Sequence, residues 1–473
     1  MKKNIKFFGI VALSLGLLGS CETVDFGNEN VNPNQPSAAS TQALLTNALR
    51  SMPAKVSEVE GNMWVQYIAQ VTYTEESRYA TTQRSYDGWY AGALKDLQEI
   101  IDLNIANPEA YTGSGSTNNQ LAVAKILKAY YFKHLTDSWG MIPFSEALKG
   151  VENITPAFDT QEAVYMASFD LIDEALASIE TAGALKGDIL FSGDMNKWKK
   201  FANTLKMVMA LRISDVAPAT AQTKFKEAMS GALASSADNM HYPYLTEDTN
   251  DNPWQDRFET REDYALSDVF VDHLLAHNDP RVASYAELPA AGGNYVGVPY
   301  GVANPNVLQA NISFIADEVI YDGTTAGGMI FSYAQVAFSM AEAAERGWIT
   351  DDVATWYYKG IDASMEQWGV SSADATAYKA GAEVVFNSAK AMEQIATQKW
   401  VALYLQGAEA WAEWRRLDFP VLSPAPDAES GTGIPVRYGY SANVAALNEA
   451  NYNAAVAAQG ADTQDTKLWW DVK

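Results

Sequence analysis

Asp248, Asn250, Asn252 and Glu259 fall at positions 1, 3, 5 and 12 of a calcium loop of the EF-hand kind. The sixth position needs φ > 0 for its sharp turn. It is Pro253, which cannot adopt that conformation, so this loop geometry is excluded. Two readings stay open, an irregular calcium site on the same oxygens and a solvated acidic loop; the second is the expectation. His273 and His277 stand one helical turn apart in Asp-His-Leu-Leu-Ala-His, a zinc-pair spacing. Leu274 occupies the place where a zinc protease carries its glutamate, so the pair is expected to hold no metal. His134 and His241 are expected to be structural. The chain has no Gly-Lys dipeptide, hence no Walker phosphate loop, and no Gly-x-Ser-x-Gly elbow. Among 58 acidic residues nothing singles out a glycosidase pair, whose separation is a tertiary property. No catalytic residue, metal or cofactor is therefore assigned.

The aromatics say more. The chain carries 13 tryptophans and 24 tyrosines, and those on helical stripes (Trp198, Trp356, Trp400, Trp411, Trp414) are expected in the core. Tyr73, Tyr79, Tyr86, Trp254, Tyr264, Tyr295 and Tyr300 instead sit among Thr, Arg, Asn, Gly and Asp, where no stripe explains them. A flat aromatic face flanked by hydrogen-bonding side chains suits a sugar ring, which has apolar C–H faces and hydroxyl edges. Trp254 and Tyr79 are the leading candidates. Tyr73, Tyr264, Tyr295, Tyr300, Asn252 and Arg257 support them.

One further residue carries chemistry. Lys2, Lys3 and Lys6 precede an apolar run, Phe7–Leu18, that is too short to cross a bilayer. It ends in Leu18-Gly19-Ser20-Cys21, which resembles the lipobox of bacterial lipoproteins. In those the cysteine is lipidated and the peptide is cut just before it. Cys21 is the only cysteine, so no intrachain disulfide competes. Residues 1–20 are read as a signal peptide and 21–37 as a flexible tether rich in Asn and Pro. Two or three acyl chains anchor stably, at about 0.8 kcal/mol per buried CH₂. The formal net charge of −25 becomes more negative once the leader's three lysines are gone. Such a chain will not seek nucleic acid or anionic lipid by electrostatics.

Residues 38–473 must position these side chains. Apolar residues recur at helical spacing over 41–51, 118–139, 160–181, 194–214, 331–347, 351–369 and 392–417. Small residues beside large ones, such as Ala337, Ala341 and Ala344 near Trp356 and Tyr357, suit tetratricopeptide-type hairpins, although no fixed period repeats. Between about 233 and 330 the periodicity fails, which predicts a loop-rich second lobe. The expected fold is all-α.

Several strings together resemble the SusD/RagB family. They are Asn32-Pro33-Asn34-Gln35-Pro36, Leu135-Thr136-Asp137-Ser138-Trp139-Gly140-Met141-Ile142-Pro143-Phe144, Trp198-Lys199-Lys200-Phe201-Ala202-Asn203 and Leu211-Arg212-Ile213-Ser214. Gln398-Lys399-Trp400-Val401-Ala402-Leu403-Tyr404, Glu413-Trp414-Arg415-Arg416 and Leu468-Trp469-Trp470-Asp471 complete the set, in the family's order. The resemblance implies a tetratricopeptide-containing scaffold on the outer face of an outer membrane, held in the bilayer by its acyl anchor. It also implies a SusC-like TonB-dependent transporter as partner, and an oligosaccharide or peptide ligand bound without chemistry. Most matching strings are scaffold in that family, so no ligand contact transfers by motif. The competing readings are a scaffold that contacts only protein partners, favoured if the loop aromatics prove buried, and an α-helical glycosidase.

Overall fold

The computed structural model describes residues 39–247, 249–321 and 328–473. The expected signal peptide (1–20), Cys21, the expected tether (21–37) and Asp248 lie outside them. Four of the longer helices start where a side chain accepts the free N–H groups of a first turn. Ser116 caps Thr117–Trp139, Thr160 caps Gln161–Ser178, Asp194 caps Met195–Arg212 and Asp352 caps Val353–Gln367.

The helices that matter here are α1 (Thr41–Arg50), α2 (Val59–Trp64), α3 (Lys95–Ala106), α4 (Thr117–Trp139), α5 (Gln161–Ser178), α6 (Met195–Arg212) and α7 (Pro218–Ala228). They continue with α8 (Pro253–Glu259), α9 (Asp268–Ala276), α10 (Tyr333–Glu345), α11 (Val353–Gln367), α12 (Ala391–Ala402) and α13 (Gly407–Leu417). α4 packs on α5, α6 on α7, α10 on α11 and α12 on α13, giving the tetratricopeptide-like hairpins. Close approach needs missing side chains. A Cβ on Gly360 of α11 would stand 2.6 Å from the Phe338 ring of α10. One on Gly407 of α13 would stand 2.6 Å from the Asn62 backbone nitrogen of α2.

The expected single helix over 392–417 is two. Leu403–Gln406 breaks it, and Leu405 adopts a left-handed φ of 61°. The irregular backbone is also not confined to 233–330. Segments 71–82, 140–160 and 418–438 are largely non-helical, whereas 233–330 contains α8, α9 and two shorter helices, Val282–Tyr285 and Asp317–Tyr321. Strands are short and paired: β1 (Ile68–Gln70) with β4 (Tyr264–Leu266), β2 (Gln83–Arg84) with β6 (Gly439–Tyr440), and β3 (Met240–His241) with β5 (Met329–Phe331). No described helix is long and apolar enough to cross a membrane.

Between α4, α6, α10, α12 and α13 runs a buried ion network. Arg416 forks onto both carboxylate oxygens of Glu342, at 2.5 and 2.7 Å, and reaches Glu413 at 2.7 Å. Arg212 binds Glu409 at 2.7 Å and Glu413 at 3.1 Å, and Lys133 binds Glu409 at 2.5 Å and Asp137 at 3.2 Å. Facing cations hold Glu342, Glu409 and Glu413 below the usual carboxylate range, against the opposing effect of burial. This network explains the Glu413-Trp414-Arg415-Arg416 string: Arg415 also lies 3.5 Å over the Trp411 ring.

Candidate ligand-binding surface

The surface is organised by β1 and β4. They run antiparallel with Gln70 opposite Tyr264, which brings the loop after β1 beside the loop before β4. Asp263 fastens the two. Its Oδ1 accepts the backbone N–H groups of Thr72 at 2.7 Å and Tyr73 at 3.3 Å, and its carbonyl accepts that of Val71 at 2.8 Å. Tyr73 is thereby held with 51% of its surface exposed, and the Arg261 guanidinium lies 4.3 Å over its ring. Arg261 also stands 3.8 Å from Asp263 Oδ2. Ring and guanidinium form an open platform that stacking of a flat ligand face requires.

Neighbouring loops extend it. Thr74 donates to the Ala303 carbonyl at 3.3 Å, and Ala303 N–H donates to Asp427 at 2.8 Å. Arg78 pairs with Glu429 at 2.5 Å, and Gln309 donates to the Glu262 carbonyl at 3.0 Å. Thr72, Glu75, Glu262, Asn304 and Asn306 are exposed along these loops, offering hydroxyl, amide and carboxylate partners for sugar hydroxyls.

The other predicted residues do not share this exposure. Trp254 is 0% exposed and Tyr79 1%, so neither has a face to offer a ligand. Both expectations are corrected by burial. Tyr79 OH lies 3.3 Å from Tyr300 OH, itself buried, and accepts the Ala425 N–H at 3.0 Å. The pair therefore pins two surface loops from below. Trp254 carries Arg257 at 4.8 Å over its ring and meets Tyr264 edge-on at 6.2 Å. Arg257 is spent on the Pro253 and Ser57 carbonyls, at 2.9 and 3.0 Å. Asn252 caps α8 through Trp254 N–H and donates to the Val319 and Ile320 carbonyls, so it is a hinge pin and not a ligand contact. Burial pushes the half-buried Tyr264 hydroxyl up to about 12. Tyr295 is half-buried on a separate loop. Only Tyr73 among the predicted residues lies open, and Arg261 was missed because a loop arginine carries no pattern of its own.

The calcium spacing resolves differently. Asn252 is engaged as described, and Asn250 Oδ1 lies 3.3 Å from Tyr242 OH, accepting its hydrogen bond. Glu259 instead converges with Asp251 and Asp256, their nearest oxygens all within 4.8 Å of one another. His273 and His277 stack at 4.4 Å, with His277 Nδ1 donating to the His273 carbonyl at 2.7 Å. Burial draws His273 down to about 4, so it is neutral at physiological pH. His134 is buried and held neutral in the same way.

Fold and surface together define a helical scaffold presenting a shallow polar–aromatic face. The chain belongs to the SusD-like_2 family, described as starch-binding and associating with the outer membrane, which matches residues 33–441. It is a family of binding proteins, not of catalysts. Solved structures agree over nearly the whole length. A chitin-binding protein is 28% identical with a TM-score of 0.76, covering 92% of this chain and 99% of its own. The SusD-like protein labelled Bacteroidetes AC2a is 24% identical with a TM-score of 0.79, covering 92% and 100%. A chitin-binding SusD homologue from Flavobacterium johnsoniae is 24% identical with a TM-score of 0.75, covering 92% and 98%. No curated protein matches the chain.

Proposed function

We propose that this protein is a lipid-anchored surface protein, tethered through Cys21, that captures an oligosaccharide on the Tyr73–Arg261 platform. It hands the cargo unchanged to a SusC-like TonB-dependent transporter. The observation that carries the reading is the half-exposed Tyr73 ring, with a guanidinium plane over it and hydrogen-bonding loops around it. A one-sided platform desolvates one face of a sugar, which suits micromolar to millimolar affinity, about −8 to −4 kcal/mol. That range permits capture and still allows release to a channel. The relative at 28% identity is a chitin-binding protein, so N-acetylglucosamine oligomers are the first ligands to try.

A second reading, a scaffold that contacts only protein partners, draws support from the burial of Trp254, Tyr79 and Tyr300. Titration calorimetry of the mature chain with chitin, starch and peptide oligomers separates the two, with mass spectrometry of the recovered ligand. The proposal expects saturable binding to one oligomer class, recovered intact. Shortened products would make it an enzyme. No heat with any oligomer, alongside retained complex formation with the transporter, would make it a scaffold.

A further inference from the structure

Away from the platform, two cavities of about 530 and 510 Å³ open side by side and share Lys95, Ala147 and Leu148 as common wall. They differ in chemistry. The first is lined by Tyr86, Tyr90, Pro143, Ile154, Val444 and Leu447. Its rim includes Leu447, 76% exposed, and Ile154, 79% exposed, so large apolar side chains face solvent at the mouth of an apolar chamber. Each volume falls in the range of about 300–1,000 Å³ typical of small-molecule sites. Its shape is fixed from outside: Tyr90 OH donates to the Pro143 carbonyl at 2.5 Å, and Asn448 to the Pro156 carbonyl at 2.8 Å.

The second chamber's lining holds Lys95, Lys128 and Lys149 with Asp102 and Glu152, and Lys95 is paired at 3.5 Å with Glu99, which leaves Lys128 and Lys149 as the cations open to a ligand. Lys128 of α4 has no carboxylate in contact among the described residues. Buried Lys206 meets Asp173 and Glu227, and buried Lys55 lies 3.9 Å over the Tyr130 ring. Lys128 instead gives one hydrogen bond to the neutral Gln98 side-chain oxygen, at 2.5 Å, and Gln98 passes on to Asp102 at 2.8 Å. An ammonium has three hydrogens to place. Burial draws Lys128 down to about 8, the mark of a cation short of compensation that an incoming anion would restore.

We infer that the two adjoining cavities bind a single-chain anionic amphiphile laid across their shared Lys95–Ala147–Leu148 boundary, with its hydrocarbon in the Tyr86–Leu447 chamber and its carboxylate or phosphate on Lys128. Charge complementarity selects the head and the apolar walls select the tail. The first chamber's lining is mostly apolar, with Asp87, Lys95, Asn443 and Asn448 as its polar members. The site is independent of the glycan platform and goes beyond the function proposed above.

The test is titration of the mature chain with dodecanoate and dodecyl phosphate below their micelle concentrations. Dodecyl maltoside, acetate and phosphatidylglycerol vesicles serve as comparisons. One-to-one saturation by both anions is expected, at least tenfold tighter than by dodecyl maltoside and with no uptake of acetate. Lys128→Met should weaken the anions at least tenfold and leave dodecyl maltoside unchanged. Ala147→Trp, which places a large ring at the boundary the amphiphile must cross, should abolish binding of all three. If Lys128→Met does not fold, Leu447→Asp at the exposed rim takes its place and should also abolish binding. Equal affinity for the neutral and anionic heads, unchanged binding in the variants, or binding to vesicles alone would overturn the inference.

Discussion

Replacing Trp254 with alanine separates core from contact. The residue is fully buried, with Arg257 over one face and Tyr264 at its edge. Its indole N–H has no acceptor among the described residues, so the loss is one of packing and not of a hydrogen bond. Truncating a buried tryptophan costs about 3–5 kcal/mol through lost transfer energy and the cavity left behind. Unfolding entropy of roughly 2 cal/mol/K per residue makes about 1 kcal/mol worth about 1 °C in a chain of this length. The expected shift is therefore a fall in Tm of about 3–5 °C, read by scanning calorimetry or circular dichroism on the mature chain. Trp254→Phe, which keeps most of the packing, should recover more than half of it. Glycan affinity measured well below the melting range should change less than twofold, since the ring offers no face to solvent. An unchanged Tm with glycan binding lost would refute the argument and restore Trp254 as a stacking platform.

Arg416→Met removes the shared partner of Glu342 and Glu413 and leaves two buried carboxylates under-compensated, costing about 3–5 kcal/mol in denaturant titration. A cost below about 1 kcal/mol would mean that the network is dispensable. Glu58 titrates at about 7, raised chiefly by burial, so its stabilising contribution is complete below its unfolded value of 4.5 and is lost as pH rises toward 7. Glu58→Gln should therefore match the parent near pH 4 and exceed it in Tm at pH 8; the opposite order would place Glu58 in an ionised, stabilising pair. Cys21→Ser should move the protein from membrane to soluble fractions or leave it uncleaved, and full membrane retention after a salt wash would show a second anchor.

The scaffold was legible because helices advertise themselves twice. The stripe over 118–139 and its neighbours matched α4, α5, α6, α10 and α11 within a few residues, and in the structure Thr160 and Asp194 cap two of them. The break before α13 was not legible. Leu405 takes a left-handed backbone without glycine, and no sequence signal marks that choice. Tyr79 shows the same limit, with φ of 64° turning its ring inward beneath the loops it pins. Polar neighbours in sequence said that Tyr79 and Trp254 lie on loops, and loops were then equated with surface. Which side of a loop faces water depends on the β1–β4 pairing, a contact between segments nearly 200 residues apart. Buried charge was hidden for a related reason: Arg212 and Glu413 read as polar until a partner from another helix arrives.

The most direct test of capture at Tyr73 is the structure of the mature chain with its best-binding oligosaccharide, paired with calorimetry on Tyr73→Ala and Arg261→Ala. A sugar ring stacked on Tyr73 or the Arg261 plane is predicted, with hydroxyls bonded to the 72–75 and 303–306 loops. Each variant should weaken binding at least fivefold, with Tm held within about 1 °C. Oligosaccharide density elsewhere on the molecule, with both variants binding as tightly as the parent, would contradict it.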